Sequence, residues 1–277
     1  MSNDLLLAGV IGDPIAHSKS PVLHGHWLKR YGIDGHYVPL KVGHKDLKKC
    51  LRLLPRMGFR GINVTIPHKE QVLALADSVT DRAALIGAAN TITFLSNGTI
   101  QADNTDGVGF LQNLHQNAPD WRADTGPALV LGAGGAARAI VSALLTDGAP
   151  EVIVVNRTRA RGEALRDQLG ARVNVMDWTR IPDLLPEIDC LVNTTSLGME
   201  NGQPLNIDLS KIRPEALVTD IVYTPLHTPL LNLADAIGCP TVDGLGMLLH
   251  QAVPGFERWF GKLPEVDEDL RQAVLSA

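Results

Sequence analysis

The sequence predicts an α/β protein of two domains, each an open, mostly parallel sheet with helices on both faces. Three observations carry that expectation. Strand-like apolar runs alternate with helical stretches along the whole chain, which is the pattern of parallel sheets. A length of 277 residues suits two domains of ordinary size. The pattern also restarts at Ala128, where an apolar run leads straight into a glycine-rich turn.

The elements follow in order. Residues 5–11 form a strand ended by Gly12-Asp13-Pro14. Pro21 opens a helix with Leu23, Trp27 and Tyr31 on one face, and Ser20 reads as its N-cap. HYVPLKV, from His36, is the next strand, followed by a helix near residues 46–56. GINVTI is a third strand, followed by a helix after Pro67 and short strands around NTITF and GTIQA. A helix begins near Asp106 and runs into NAPDWRADTGP, whose turn residues predict a linker. ALVLGAGGAARAI, EVIVVNRT, CLVNTTSLGM and ALVTDIVY then build the second unit. The tail is helical and too apolar to stand alone. The expected domains are 1–105, completed by 244–277, and a Rossmann-like 106–243. Pro254 predicts a kink in the tail helix.

Bulk properties narrow the function. Hydrophobic residues make up 45% of the chain, enough for a sizeable core. The formal net charge is -5 and no Lys/Arg run stands out, which argues against nucleic-acid and membrane-surface partners. Cys50, Cys190 and Cys239 are odd in number and far apart, which suggests a reducing compartment. The N-terminus lacks the basic flank of a signal peptide, so the expected location is cytoplasmic. His24 and His26 point apart on a helix, and His17, His68 and His250 are isolated in sequence. No metal is expected.

Gly132, Gly134 and Ala137 fit G-x-G-x-x-G/A between a strand and a helix, with Ala133, Gly135 and Ala136 completing the loop. Small residues there let backbone N–H groups approach a pyrophosphate at a helix N-terminus. The plainer alternative, small residues kept only for packing, leaves the context on both sides unexplained. At the end of the next strand stand Asn156, Arg157 and Thr158, with Arg161 one turn on. A guanidinium there suits a 2′-phosphate, whereas NAD sites place an acid, so the expected cofactor is NADP. The alternative is a solvated arginine cluster.

Other polar groups collect where strands end, the edge at which open parallel sheets bind ligands. Ser18 and Ser20 flank a helix start suited to a carboxylate, although capping also explains Ser20. Lys69 is expected at a helix start, where a cation opposes the dipole. Asp106 has a capping explanation, and Gln251 one as a polar-face residue of an amphipathic helix.

Taken together, GDPIAHSKSP, NVTIPHKE, GAANTI, DNTDGVGF, LGAGGAARAI, NRT, NTTSLGM, DIVY and DGLGMLLHQA resemble the shikimate dehydrogenase family, in that family's order and over nearly the whole chain. The resemblance implies reversible NADPH-dependent reduction of 3-dehydroshikimate to shikimate in aromatic amino-acid precursor synthesis. It implies that Ser18 and Ser20 hold the substrate carboxylate and that Lys69 works with Asp106 on the proton. Thr65, Asn90, Tyr223 and Gln251 fall on further substrate positions. The loop 132–136, Asn156, Arg157, Thr158, Arg161, Ile221, Gly244 and Asp81 fall on cofactor positions. His68 departs from the phenylalanine or asparagine of many members. A quinate enzyme using NAD, an enzyme of an amino-modified shikimate, and a nucleotide-sensing regulator on the same fold are the alternatives. A monomer or homodimer is expected.

Overall fold

The computed structural model describes residues 5–277, which cluster into two compact units. One is the chain up to Thr105 together with Leu249–Ala277; the other is Asp106–Leu248.

The first unit opens with β1 (Leu6–Gly12), α1 (Ser20–Arg30), β2 (Gly35–Lys41), α2 (Leu47–Leu53) and β3 (Phe59–Val64). It continues with β4 (Ser78–Val79), α3 (Asp81–Ile86), β5 (Thr91–Phe94) and β6 (Ile100–Asp103). The strand order is β2-β1-β3-β5-β6-β4. β5 pairs antiparallel with both β3 and β6, while the other pairings are parallel. This single reversal matters for the site. The parallel strands end, and β5 begins, at one edge of the sheet; the β5–β6 turn at residues 95–99 lies at the other.

Two sequence expectations change here. No regular helix follows Pro67; a turn and a short 3-10 helix, Gln71–Leu75, stand in its place. The backbone is diverted: Ala89 N–H donates to Lys69 O at 2.8 Å, a long-range bond that takes the carbonyl a helix would use. Ser20 is also not an N-cap. The chain is already helical at Lys19, whose carbonyl accepts from the N–H groups of Val22 and Leu23, and no side chain caps this end.

The second unit contains α4 (Asp106–Asn117), β7 (Ala128–Leu131), α5 (Gly135–Thr146), β8 (Val152–Val155), α6 (Arg159–Leu169) and β9 (Val173–Met176). Then come α7 (Ile181–Leu184), β10 (Cys190–Asn193), β11 (Leu217–Asp220), α8 (Pro229–Ile237) and β12 (Thr241–Val242). All six strands are parallel, in the order β12-β11-β10-β7-β8-β9, the doubly wound arrangement that reverses direction between β7 and β10. β7, β8, β10 and β11 are buried throughout, as strands covered by helices on both faces are; β7 and β8 are wholly aliphatic, while β10 and β11 end in the buried polar residues Asn193, Thr219 and Asp220. The predicted linker, residues 117–127, lies inside this unit: Ala123 is buried and Trp121 packs on the core, so its turn residues mark a loop and not a boundary. α8 shows how local signals set an element. Thr228 caps Leu231 N, Pro229 sits in the first turn, and Gly238 closes the helix in the left-handed region.

The chain ends with α9 (Leu245–Phe260) and α10 (Glu268–Leu275). α9 runs through Pro254 as one continuous helix. In the first unit its second half brings Phe256 and Trp259 against His24, Trp27 and Tyr37 of α1 and β2. Trp259 lies against Gly61 and Gly255, where a Cβ would collide with its ring, and its indole N–H donates to Ile92 O at 3.1 Å.

Candidate active site

In the first unit the polar residues singled out from sequence gather at one edge of the sheet. Ser18 and Ser20 follow β1, Thr65 and Lys69 follow β3, and Asn90 precedes β5. Ser18 Oγ accepts from Ser20 N–H at 3.3 Å, so the two serines form one tight turn, Ser18 half-buried and Ser20 buried. Thr65 and Lys69 are half-buried on the turn after β3.

Asn90 is the centre of the arrangement. It is buried, and its Oδ1 accepts from Thr105 N–H at 2.8 Å and from Thr91 Oγ at 2.9 Å. Its amide donates to Gln251 Oε1 at 3.1 Å. Thr105 Oγ donates in turn to Gln251 O at 2.8 Å. Behind them Asn63 donates to Asn90 O at 3.1 Å and accepts from the Tyr37 hydroxyl at 2.7 Å. Burial raises the Tyr37 pKa well above its ordinary value, against a smaller lowering by Ser20.

Asp103 anchors the same edge. Its buried carboxylate accepts from Thr80 Oγ at 2.7 Å, Arg82 Nε at 2.6 Å, Asn104 N–H at 2.8 Å and Arg258 at 2.7 Å. Burial alone would raise its pKa. The bonds from Arg82, Thr80 and Arg258 outweigh that and hold it far below the usual carboxylate range. Asn104 is fixed by donation to Ala88 O at 2.9 Å. Every residue from Asp103 to Thr105 is therefore pinned, and Asp106 comes next, as the buried first residue of α4.

Asn63, Thr91, Asp103, Asn104 and Thr105 have no place among the sequence-derived candidates. The available signal is that they are polar residues inside apolar strand motifs, and a buried polar group must be hydrogen-bonded to something. His68 now has an explanation as well. It is fully buried with Nε2 2.6 Å from Val42 O, which makes Nε2 the protonated nitrogen and ties the turn after β3 to the end of β2.

The second unit holds the expected cofactor residues. Gly132 has φ +111, and a Cβ there would meet Thr194 Oγ at 2.6 Å, so only glycine fits the turn after β7. A Cβ at Gly134 or Gly135 would meet no atom within 4 Å, and Gly134 caps α5 without a side-chain bond. Ala133 is buried and Ala136 half-buried in the same turn. Open backbone at a helix N-terminus suits a pyrophosphate. Thr194 N–H and Oγ both donate to Leu131 O, at 2.9 and 2.6 Å, which fastens the β10 exit beside this turn.

At the β8 end, Asn156 donates to Thr158 O at 2.8 Å, and Thr158 precedes α6. Among the described residues Arg157 and Arg161 pair with no carboxylate, whereas Arg159 is held by Glu163 and Asp177, each at 2.9 Å. Gly244 lies so close to the backbone of Asp220 and Ile221 that a side chain would not fit, which brings two expected cofactor residues together. Asp220 accepts from Asn193 at 2.9 Å, Val222 N–H at 3.0 Å and Thr228 at 2.8 Å, fixing the turn that carries Ile221 and Tyr223. Burial pushes its pKa up to about 6 against those three bonds. Burial also raises the Tyr223 pKa. Asp81 belongs to the first unit, exposed in the first turn of α3.

Among the described residues no group of three or more His, Cys, Asp or Glu side chains is placed to hold a metal ion. No described helix is long and apolar enough to cross a membrane.

The doubly wound sheet, the glycine turn at its reversal point and the polar edge of the first unit define a two-unit α/β protein of the dinucleotide-binding class. Residues 10–92 match the shikimate dehydrogenase substrate binding domain, residues 114–201 the shikimate / quinate 5-dehydrogenase family, and residues 244–275 the shikimate 5'-dehydrogenase C-terminal domain. The chain belongs to the shikimate dehydrogenase family. It is 67% identical over 277 residues to the shikimate dehydrogenase (NADP(+)) of Jannaschia sp. strain CCS1, covering 100% of both chains. Among solved structures it is similar to a Corynebacterium glutamicum quinate dehydrogenase in complex with NAD (TM-score 0.92, 32% identity, 99% of this chain and 100% of that one). It is also similar to a Thermus thermophilus shikimate 5-dehydrogenase in complex with NADP(H) and shikimate (TM-score 0.88, 36% identity, 98% and 99%).

Proposed function

We propose that this chain catalyses the reversible NADPH-dependent reduction of 3-dehydroshikimate to shikimate, in the synthesis of aromatic amino-acid precursors. The observation that carries the reading is the bonded set Asn90–Thr105–Gln251 leading into Asp106. It gathers residues from three separate motifs at one sheet edge. Most of the first unit's candidates are assigned to substrate and most of the second unit's to cofactor; Asp106 and Tyr223 of the second unit are assigned to substrate, and Asp81 of the first to cofactor.

Bound NADPH supplies the hydride. The chain's own residues supply recognition and the proton. Ser18 and Ser20 hold the substrate carboxylate through their hydroxyls. Asn90, Gln251, Thr65 and Tyr223 receive the ring substituents. Lys69 gives a proton to the carbonyl oxygen as it becomes a hydroxyl, and Asp106 orients the same group. Residues 132–136 cradle the pyrophosphate. Arg157 and Arg161 meet the 2′-phosphate, Asn156 and Thr158 shape the turn that presents them, and Ile221 and Gly244 line the nicotinamide end. Asp81 is assigned a peripheral cofactor contact. The protein works in the cytoplasm as a monomer or homodimer on a small-molecule substrate.

A second reading, quinate oxidation with NAD, draws support from the similar quinate dehydrogenase. Arg157, where an NAD enzyme has an acid, favours the first. The purified protein assayed with shikimate or quinate, each with NADP or NAD, decides between them. Shikimate with NADP is expected to give the largest kcat/KM, and a preference for quinate with NAD would overturn the proposal.

A further inference from the structure

α9 contains two helix-weakening residues in succession. Pro254 has no N–H to donate one turn back, and Gly255 lacks a side chain to restrict its backbone. Gln251 precedes this weak point and Arg258 follows it. They lie seven residues apart, two helical turns, and so share a face. Both are fastened to the same three-residue segment of the first unit. Gln251 O accepts from Thr105 Oγ at 2.8 Å, and Arg258 donates to Asp103 at 2.7 Å. The segment between these anchors is itself rigid, since Asp103 is also held by Arg82 and Thr80, and Asn104 by Ala88. The Arg258 side chain is 32% exposed, but the carboxylate it meets is only 1% exposed. The anchor is therefore buried even though the arginine reaches it from the surface.

We infer that Arg258 is a positioning residue: by tying the far half of α9 to Asp103 it bridges the Pro254-Gly255 weak point and keeps Gln251 aimed at the Asn90 amide. Arg258 is assigned to neither substrate nor cofactor, and its described ion-pair partner is Asp103. It acts through Gln251, so the inference rests on the assignment of Gln251 to the substrate site. Asp103 keeps Arg82, Thr80 and Asn104 when Arg258 is lost, so the fold is expected to survive the substitution.

The test is a double-mutant cycle on the full chain. Arg258→Ala is expected to raise the KM for shikimate about tenfold, equivalent to ~1.4 kcal/mol, with the KM for NADP changed by less than about twofold. Pro254→Ala restores a backbone donor and should shrink the Arg258→Ala effect to about threefold or less, because a helix with its missing backbone bond restored no longer needs the bridge. Backbone amide hydrogen exchange over residues 249–253 gives a second readout. It should quicken in Arg258→Ala and recover in Arg258→Ala/Pro254→Ala. Equal changes in both KM values, or full additivity in the cycle, would overturn the inference. Gln251→Ala separates the two levels. If it leaves the shikimate KM unchanged, the substrate assignment of Gln251 falls and hydrogen exchange alone decides the bridge: quickened exchange upholds it and unchanged exchange overturns it.

Discussion

The imidazole of His24 lies flat on the phenol ring of Tyr37, with centroids 3.8 Å apart and planes 5° from parallel. Trp27, Phe256 and Trp259 close the rest of the surroundings, so His24 is fully buried. Burial lowers its pKa to about 3, and nearby Asn63 offsets only part of that. The unfolded chain's histidine takes up a proton near pH 6.5. Between those values the unfolded state binds more protons than the native state, so this residue's contribution to stability falls as pH falls through the window. The slope is at most ~1.4 kcal/mol per pH unit. His24→Phe keeps an aromatic ring in the cluster and removes the titration. Urea denaturation at pH 6.5 and pH 5 should show a smaller loss for the variant than for the parent. Parallel losses would exclude His24 as a source of acid sensitivity.

Arg157 and Arg159 offer a matched pair of substitutions. Arg159 is already committed to Glu163 and Asp177, whereas Arg157 is free to meet a phosphate. Arg157→Ala should weaken NADP by roughly 1.5–3 kcal/mol and NAD much less, since one charge-assisted bond is lost. Arg159→Ala should leave the ratio of the two KM values nearly unchanged. Equal rises for both cofactors in Arg157→Ala would remove it from the 2′-phosphate site.

Ser18→Ala should raise the KM for shikimate with a smaller effect on kcat. A carboxylate contact remote from the reacting carbon stabilises ground and transition states alike. The Ser18 hydroxyl also receives Ser20 N–H at 3.3 Å, so a thermal melt of the variant should accompany the kinetics. An unchanged KM in a folded protein would take Ser18 out of the site.

Lys69→Ala should depress kcat far more than it raises KM. Loss of a general acid–base costs about 10²–10⁴-fold, or roughly 3–5 kcal/mol of barrier. Asp106→Asn should show a related defect, and the double variant should lose less than the sum if the two act as a unit. Near-normal turnover of Lys69→Ala at saturating shikimate would contradict the proton-transfer role.

The second unit is more legible in sequence than the first, for a physical reason. A strand covered by helices on both faces is built mainly of aliphatic side chains, and runs such as VIVV or ALVL can be little else. A glycine at φ +111 beside Thr194 likewise has no substitute, so the turn announces itself. In the first unit the site depends on bonds between residues far apart in the chain. Nothing in PHKEQ states that Lys69 O will accept from Ala89 N and divert the helix that its composition suggests. Ser20 before Pro21 looks like a cap, but the chain coils one residue earlier. Ser18, Lys69, Asn90 and Gln251 stand out by residue type and motif. Asp103 and Thr105 do not, because their importance lies in the partners that only the folded chain supplies.

The reversed strand β5 has a consequence for engineering. It lets Asn90 and Thr91 start beside the ends of β3 and β6, with Thr91 paired to Asn63 on one side and to Asp103 on the other. The turn that pays for this reversal, at Leu95–Thr99, is closed by its own short bonds, with Gly98 at φ +86, and sits at the opposite edge of the sheet. New termini or an inserted reporter at Asn97 would therefore be separated from the polar edge by the length of the β5–β6 hairpin. The chain could be cut and rejoined there while every bond around Asn90 stayed in place.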